Sequence, residues 1–235
     1  MGDNPQRTSR ERFTPRLDIL PPPQRRLWPE LATVPEEFVL YGGTAIALQL
    51  GHRQSVDFDF FGDRALDPTA LAAEIPFMAD AQITQREANT LTGILDRDGT
   101  VKVSFFGVPG LARLVGPHQA ADNRLKIASL LDLAGMKASV VQVRAEAKDY
   151  LDLDALMKAG IDLPRALAAG AAIYGRQFNP QITLKALSYF EDGNLRTLPD
   201  ETKARLAAAA RGVDLDRLPT LRAREDVPPG PEGGP

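Results

Sequence analysis

The stretch from Phe38 to Phe61 constrains this chain more than any other. Phe38-Val39-Leu40-Tyr41 is an apolar, β-prone run that reads as a buried strand. It stops at Gly42-Gly43. Thr44 to Leu50, with Ala45, Ile46, Leu48 and Leu50 apolar, then reads as a helix. Val56 to Phe61 reads as a second strand, and it carries Asp57 and Asp59. Residues two apart on a strand point to the same face, so the two carboxylates share one side. Val56, Phe58 and Phe60 share the other and can bury. Like charges side by side cost free energy unless a cation or hydrogen bonds offset them. Such a pair suits Mg²⁺ (or Mn²⁺), a hard cation commonly held by one or two carboxylates plus substrate phosphates.

The turn fits the same picture. Two glycines, Gly42 and Gly43, let the backbone approach a ligand closely. The helix after them offers unpaired N–H groups and a positive dipole end to phosphate. The Thr44 hydroxyl adds a donor, and Arg53 and Ser55 are candidates for orienting phosphate or the loop itself. Alone, a Gly-Gly pair is usually a plain turn and a D-x-D strand is usually an exposed edge. The joint order of strand, glycine turn, helix, loop and acidic strand is more specific, and points to a nucleotide-handling site.

Elsewhere, a short helix fits Gln24 to Ala32 and another Pro68 to Phe77. Gln82 to Ala88, Leu91 to Leu95 and Thr100 to Phe106 are strand candidates, with Asp98-Gly99 as a hairpin signal. Arg124 to Ala128 reads as a short extended entry. From Ser129 the period becomes helical, and Ser129 with Asp132 resembles a capping box. Helices are expected to about Gln142, then over Ala145 to Lys158, Pro164 to Tyr174, Pro180 to Phe190 and Pro199 to Arg211. Strands before residue 110 and helices after it indicate an α+β fold. The expected division is a mobile arm over 1–22, an α+β core over 23–120, a helical domain over 121–221, and a disordered Pro/Gly-rich tail over 222–235.

Bulk properties exclude some classes. The net charge of −3 supplies no overall basic field, so a nucleic-acid partner needs a local basic surface. The chain has no cysteine, which excludes disulfides and thiolate chemistry. Two histidines, His52 and His118, argue against a His-rich zinc site. No apolar run approaches the ~20 residues that span a bilayer, and no apolar segment follows the N-terminal arginines. A cytoplasmic protein without a membrane partner is expected.

Leu40 to Phe61 resembles the AbiEii/AbiGii nucleotidyltransferase family, many of whose members are toxins of bacterial toxin–antitoxin or phage-defence systems. The resemblance continues through Val101 to Gly107, Ser129 to Lys137, Lys148 to Leu153 and Leu187 to Asp192. It implies a nucleotidyltransferase-like mixed sheet followed by a helical C-terminal part. It implies that Gly43 and Thr44 hold nucleotide phosphates, that Asp57 and Asp59 bind metal, that Lys137 contacts phosphate and that Asp149 is catalytic. Asp152 lies on the same helix face as Asp149. The residues themselves leave plainer roles open: Lys137 as a solvated helix lysine, and Asp149 and Asp152 as partners of Arg144 or Lys148. Nucleotidyltransferases commonly carry a third carboxylate on a neighbouring strand, where this chain has Ser104, and a hydroxyl is a poor general base.

The resemblance implies transfer of a nucleotidyl group from an NTP to an acceptor (a tRNA end, a protein side chain or a small molecule) by a toxin with a cognate antitoxin. Two rivals remain: a catalytically impaired binding or regulatory protein, and a small-molecule nucleotidyltransferase. A cationic small-molecule acceptor calls for a closed acidic pocket, whereas RNA calls for a basic groove.

Overall fold

The computed structural model describes residues 12–224. The strands are β1 (Arg12–Phe13), β2 (Val39–Tyr41), β3 (Asp57–Gly62), β4 (Gln82–Glu87), β5 (Thr90–Asp96), β6 (Thr100–Gly107), β7 (His118–Ala120) and β8 (Lys126–Ile127). They form one mixed sheet in the order β1-β7-β8-β2-β3-β6-β5-β4. β2 runs antiparallel to β3, and β3 runs parallel to β6. The helices are α1 (Pro22–Leu27), α2 (Gly42–Leu50), α3 (Pro68–Glu74), α4 (Leu130–Val140), α5 (Ala147–Lys158), α6 (Leu163–Tyr174), α7 (Pro180–Ala186) and α8 (Asp200–Arg211).

Strand alternation creates the core at the centre of the sheet. Phe58 and Phe60 on β3 are fully buried, and Phe60 stacks on Phe105 of β6 at 5.1 Å between ring centroids. Asp57, Asp59 and Phe61 take the opposite face. The β5–β6 hairpin turns at Asp98 and Gly99, both at positive φ, and the Asp96 carboxylate accepts from the Gly99 N–H. On the helical side α4 and α6 cross closely. A Cβ at Gly135 would lie 2.9 Å from the Ala169 carbonyl carbon, so only glycine permits that approach.

Several boundaries differ from the expectations. Residues 12–22 are not an arm: Arg12 and Phe13 pair in parallel with Gln119 and Ala120, and Ile19 and Leu20 are buried. β8 extends the sheet into the segment assigned to the helical domain. One buried cluster joins Leu40 and Phe60 of the sheet to Leu133, Leu153 and Leu206 of the helices, so the two parts share a core. Of the expected tail, Arg224 pairs with Arg113 as an isolated bridge, and residues 225–235 lie outside the described ones, as do residues 1–11. The first helix ends at Leu27 because Pro29 follows, and α3 ends at Glu74 ahead of Pro76. Ser129 caps α4 as expected, but Asp132 does not complete the box. Its carboxylate instead accepts from the N–H groups of Leu114 and Val115, at 2.6 and 3.2 Å.

Candidate functional site

The antiparallel register of β2 and β3 sets Tyr41 opposite Asp59, which brings the carboxylates under the glycine turn. Gly42 sits at φ +75°, and a Cβ there would lie 3.2 Å from Asp59 Oδ2. At Gly43 a Cβ would lie 2.2 Å from Arg53 Nη2 and 3.3 Å from Asp152 Oδ2. The turn therefore favours glycine twice, at Gly42 for its backbone and at Gly43 because the Arg53 guanidinium, held by Asp152, fills the space a side chain would take. Thr44 is buried. Its proton goes to the Asp57 carbonyl and its oxygen stands 2.8 Å from the Ser55 hydroxyl, so these two side chains pin the α2–β3 loop to β3.

Burial is the largest influence on the Asp59 carboxyl and pushes its pKa up. The adjacent Asp57 adds to this, while Lys102, Ser104 and Lys137 pull the other way. Ser104 is the register partner of Asp59 on β6, and Lys102 is the partner of Asp57. The sheet thus holds two carboxylates in an arrangement that repels itself. Hard oxygen donors that repel one another are what a divalent cation relieves, so Asp57 and Asp59 fit Mg²⁺ or Mn²⁺. Among the described residues, no three His, Cys, Asp or Glu side chains converge. A cation there would take two carboxylates from the protein and its further ligands from water and substrate phosphate.

Beside the turn lies an ion-pair network. Arg53 donates to both oxygens of Asp152, from Nε at 2.7 Å and Nη2 at 2.9 Å. His52 Nε2 lies 2.7 Å from the same carboxylate. Lys137 Nζ bridges Asp149 and Asp152 at 2.6 Å each, and Arg144 grips Asp149 at 2.7 Å. Both carboxylates are fully buried. Burial pushes each upward, but the hydrogen bonds from His52 and Arg53 hold Asp152 far below the usual range, and those from Arg144 and Lys137 hold Asp149 below it. A carboxylate so committed is a poor proton acceptor, and its contacts suit Asp149 to positioning cations. The pairing of Asp149 with Arg144 left open above is present. Lys148 instead reaches Glu146 at 2.8 Å.

Gly42, Gly43, Arg53, Ser55, Asp57, Asp59 and Lys137 line one cavity of about 480 Å³. Thr44, Asp149 and Asp152 stand behind its wall. Lys102, Arg144 and Lys148 also line it, and reading the chain alone did not place them in the site. The signal for Lys102 was its place two residues before Ser104, on the same strand face. Among the described residues the lining holds five Lys or Arg side chains against two carboxylates. Phe61, Phe106, Met136 and Val140 supply an apolar wall. A larger cavity of about 620 Å³, lined by Glu36, Asp63 and Arg64 among others, contains none of the expected site residues.

Residues 26–226 match the family model described as nucleotidyl transferase AbiEii toxin, type IV toxin–antitoxin system. The chain belongs to that family. It is 34% identical over 167 residues to an uncharacterized protein of Aquifex aeolicus (strain VF5), a match covering 70% of this chain and 79% of that one. The structure of MenT4, a nucleotidyltransferase toxin from Mycobacterium tuberculosis, is 16% identical. It covers 80% of this chain and 83% of that one, with a TM-score of 0.52. A structure from H. pylori is 18% identical, covering 80% of this chain and 90% of that one at a TM-score of 0.47. Membership of the AbiEii family assigns nucleotidyl transfer and a toxin role, and the mixed sheet with its helical part is a nucleotidyltransferase fold. Among the described residues, no helix of this AbiEii protein is long and apolar enough to cross a membrane.

Proposed function

We propose that this protein transfers a nucleotidyl group from an NTP to an RNA acceptor in a Mg²⁺-dependent reaction. In this reading it is the cytoplasmic toxin of a pair, held in check by a cognate antitoxin. One observation carries the reading: a single cavity joins the Asp57–Asp59 pair to five cationic side chains. That lining complements two polyanions, the triphosphate and an RNA backbone. It does not suit the cationic acceptor that a small-molecule enzyme of the antibiotic-modifying kind would require.

The backbone N–H groups at Gly42-Gly43, at the start of α2, receive phosphate oxygens. Arg53 and Lys137 face the same phosphates, and their buried carboxylate partners fix their positions. Asp57 and Asp59 would hold Mg²⁺, which would supply neutralisation of the phosphate charge and of the leaving pyrophosphate. The acceptor hydroxyl attacks the α-phosphorus, the bond from that phosphorus to the bridging oxygen breaks, and the hydroxyl proton leaves to solvent. Asp149 and Asp152 act as positioning residues for the cations.

The test is calorimetric titration of wild type and of Asp57→Ala/Asp59→Ala with each NTP, with and without Mg²⁺. Mg²⁺-dependent binding that the double variant loses supports the reading. Absence of binding to every NTP leaves a fold kept for recognition, with Ser104 in place of the third carboxylate as its mark.

A further inference from the structure

A second groove adjoins the transfer cavity. It lies between the α4–α5 connection and α7, has a volume of about 480 Å³, and includes Val143, Arg144, Ile182, Lys185 and Tyr189. Val143 and Arg144 belong to both cavities, so a chain lying in the groove leads towards Asp57 and Asp59.

The groove's surface is unusual for this protein. Val143 is 83% exposed, Tyr189 55% and Ile182 43%, three of the six large apolar side chains exposed among the described residues. Isolated exposed apolar residues are ordinary, but a cluster at the mouth of a catalytic cavity marks a contact surface. Its charge is mixed with a positive excess: Lys185 and Arg144 against Asp192. Arg144 spends part of its guanidinium on Asp149 yet keeps its side chain 44% exposed. Lys185 makes no ion pair among the described residues. An exposed aromatic ring that shares a groove with cations is the pattern that binds single-stranded nucleic acid, the base stacking on the ring and the backbone lying along the charges.

We infer that this groove docks the single-stranded end of the RNA acceptor, with Tyr189 as a stacking platform for an unpaired base and Lys185 on its phosphate. The inference rests on the transferase reading for the direction of the strand, and on the shared Val143–Arg144 wall for its path. It assigns Tyr189 and Lys185 a part in acceptor recognition and none in NTP binding.

Fluorescence anisotropy with a labelled single-stranded RNA of about 10 nucleotides, within the site sizes of single-strand-binding folds, tests this. Tyr189→Ala is expected to weaken RNA binding about tenfold, and Tyr189→Phe, which keeps the ring, to retain it. Lys185→Glu is expected to lower the slope of log affinity against log salt by about one. NTP titration of the same variants is expected to match wild type, which shows that they are folded. RNA binding that neither Tyr189→Ala nor Lys185→Glu changes overturns the inference and leaves the groove to a protein partner. Equal loss in Tyr189→Phe and Tyr189→Ala overturns the stacking role. NTP binding without any RNA binding in wild type overturns the docking inference alone. RNA binding without any NTP binding overturns the transfer reading instead.

Discussion

Asp59 stands directly across from Ser104, its register partner in the parallel pairing of β3 with β6. Ser104 is almost fully buried. A carboxylate at position 104 would share a buried face with Asp57 and Asp59, and each added like charge raises the cost of ionisation there. Ser104→Asp is therefore expected to lose about 1–3 kcal/mol in metal-free buffer. Mg²⁺ should recover more stability in this variant than in wild type. Thermal melts with chelator and with Mg²⁺ measure both, and an unchanged melting temperature in chelator would show that the two positions do not share a field.

The Asp57–Asp59 pair itself is expected to cost stability when no cation is bound. The Asp59 carboxyl is held above its unfolded value by burial and by Asp57. A carboxyl raised in the fold binds its proton more tightly folded than unfolded, so it destabilises the fold as pH rises through that interval. Asp59→Asn should then melt higher than wild type in metal-free buffer at neutral pH, by on the order of 1 kcal/mol, while losing Mg²⁺-dependent stabilisation. A lower melting temperature would mean that Asp59 makes stabilising contacts that its environment does not suggest.

Lys137 and Lys102 both line the cavity but should behave differently. Lys137 bridges two fully buried carboxylates, and Lys137→Met leaves Asp152 to Arg53 and His52 and Asp149 to Arg144, so it is expected to cost about 1–3 kcal/mol. Lys102 is exposed, and Lys102→Met should change stability by less than about 0.5 kcal/mol. It should still weaken NTP binding about tenfold through the lost charge. Urea unfolding and NTP titration of the two variants separate the roles. Equal stability in both variants would deny that the Lys137 network supports the fold.

Acid should weaken the helical part through α5. Asp149, Asp152 and Asp154 all sit below the ordinary carboxylate range. For Asp154, burial acts upward, and Arg205 of α8 and Lys158 overcome it. Groups depressed in the fold contribute stability that is present above the unfolded pKa of about 4 and is lost as pH falls through the lower folded values. Urea midpoints at neutral pH and near about pH 3 should therefore differ less in Asp154→Asn than in wild type. An equal difference would remove Asp154 from the acid response.

Local chemistry made part of this legible in the chain alone. The alternation of β3 puts Phe58 and Phe60 in the core and Asp57 and Asp59 on the other face, whatever the sheet's partners are. The Gly42-Gly43 turn, the Asp98-Gly99 hairpin and the Ser129 cap depend on a few neighbouring residues, and all three form. β1 was missed because two residues carry no period of their own, and Arg12-Phe13 becomes a strand only through pairing with β7.

The sequence by itself determined the acidic strand face and the glycine turn before it, because period-two alternation and backbone freedom are properties of adjacent residues. Only the tertiary structure decided what the charges do. Arg53 and Asp152 are 99 residues apart, and nothing in their spacing says that one guanidinium clamps one carboxylate above Gly43. The same holds for Lys137 between Asp149 and Asp152, and for Lys102 beside Asp57. Charge pairing acts through space and depends on burial, and both are set by how α4 and α5 pack against the sheet.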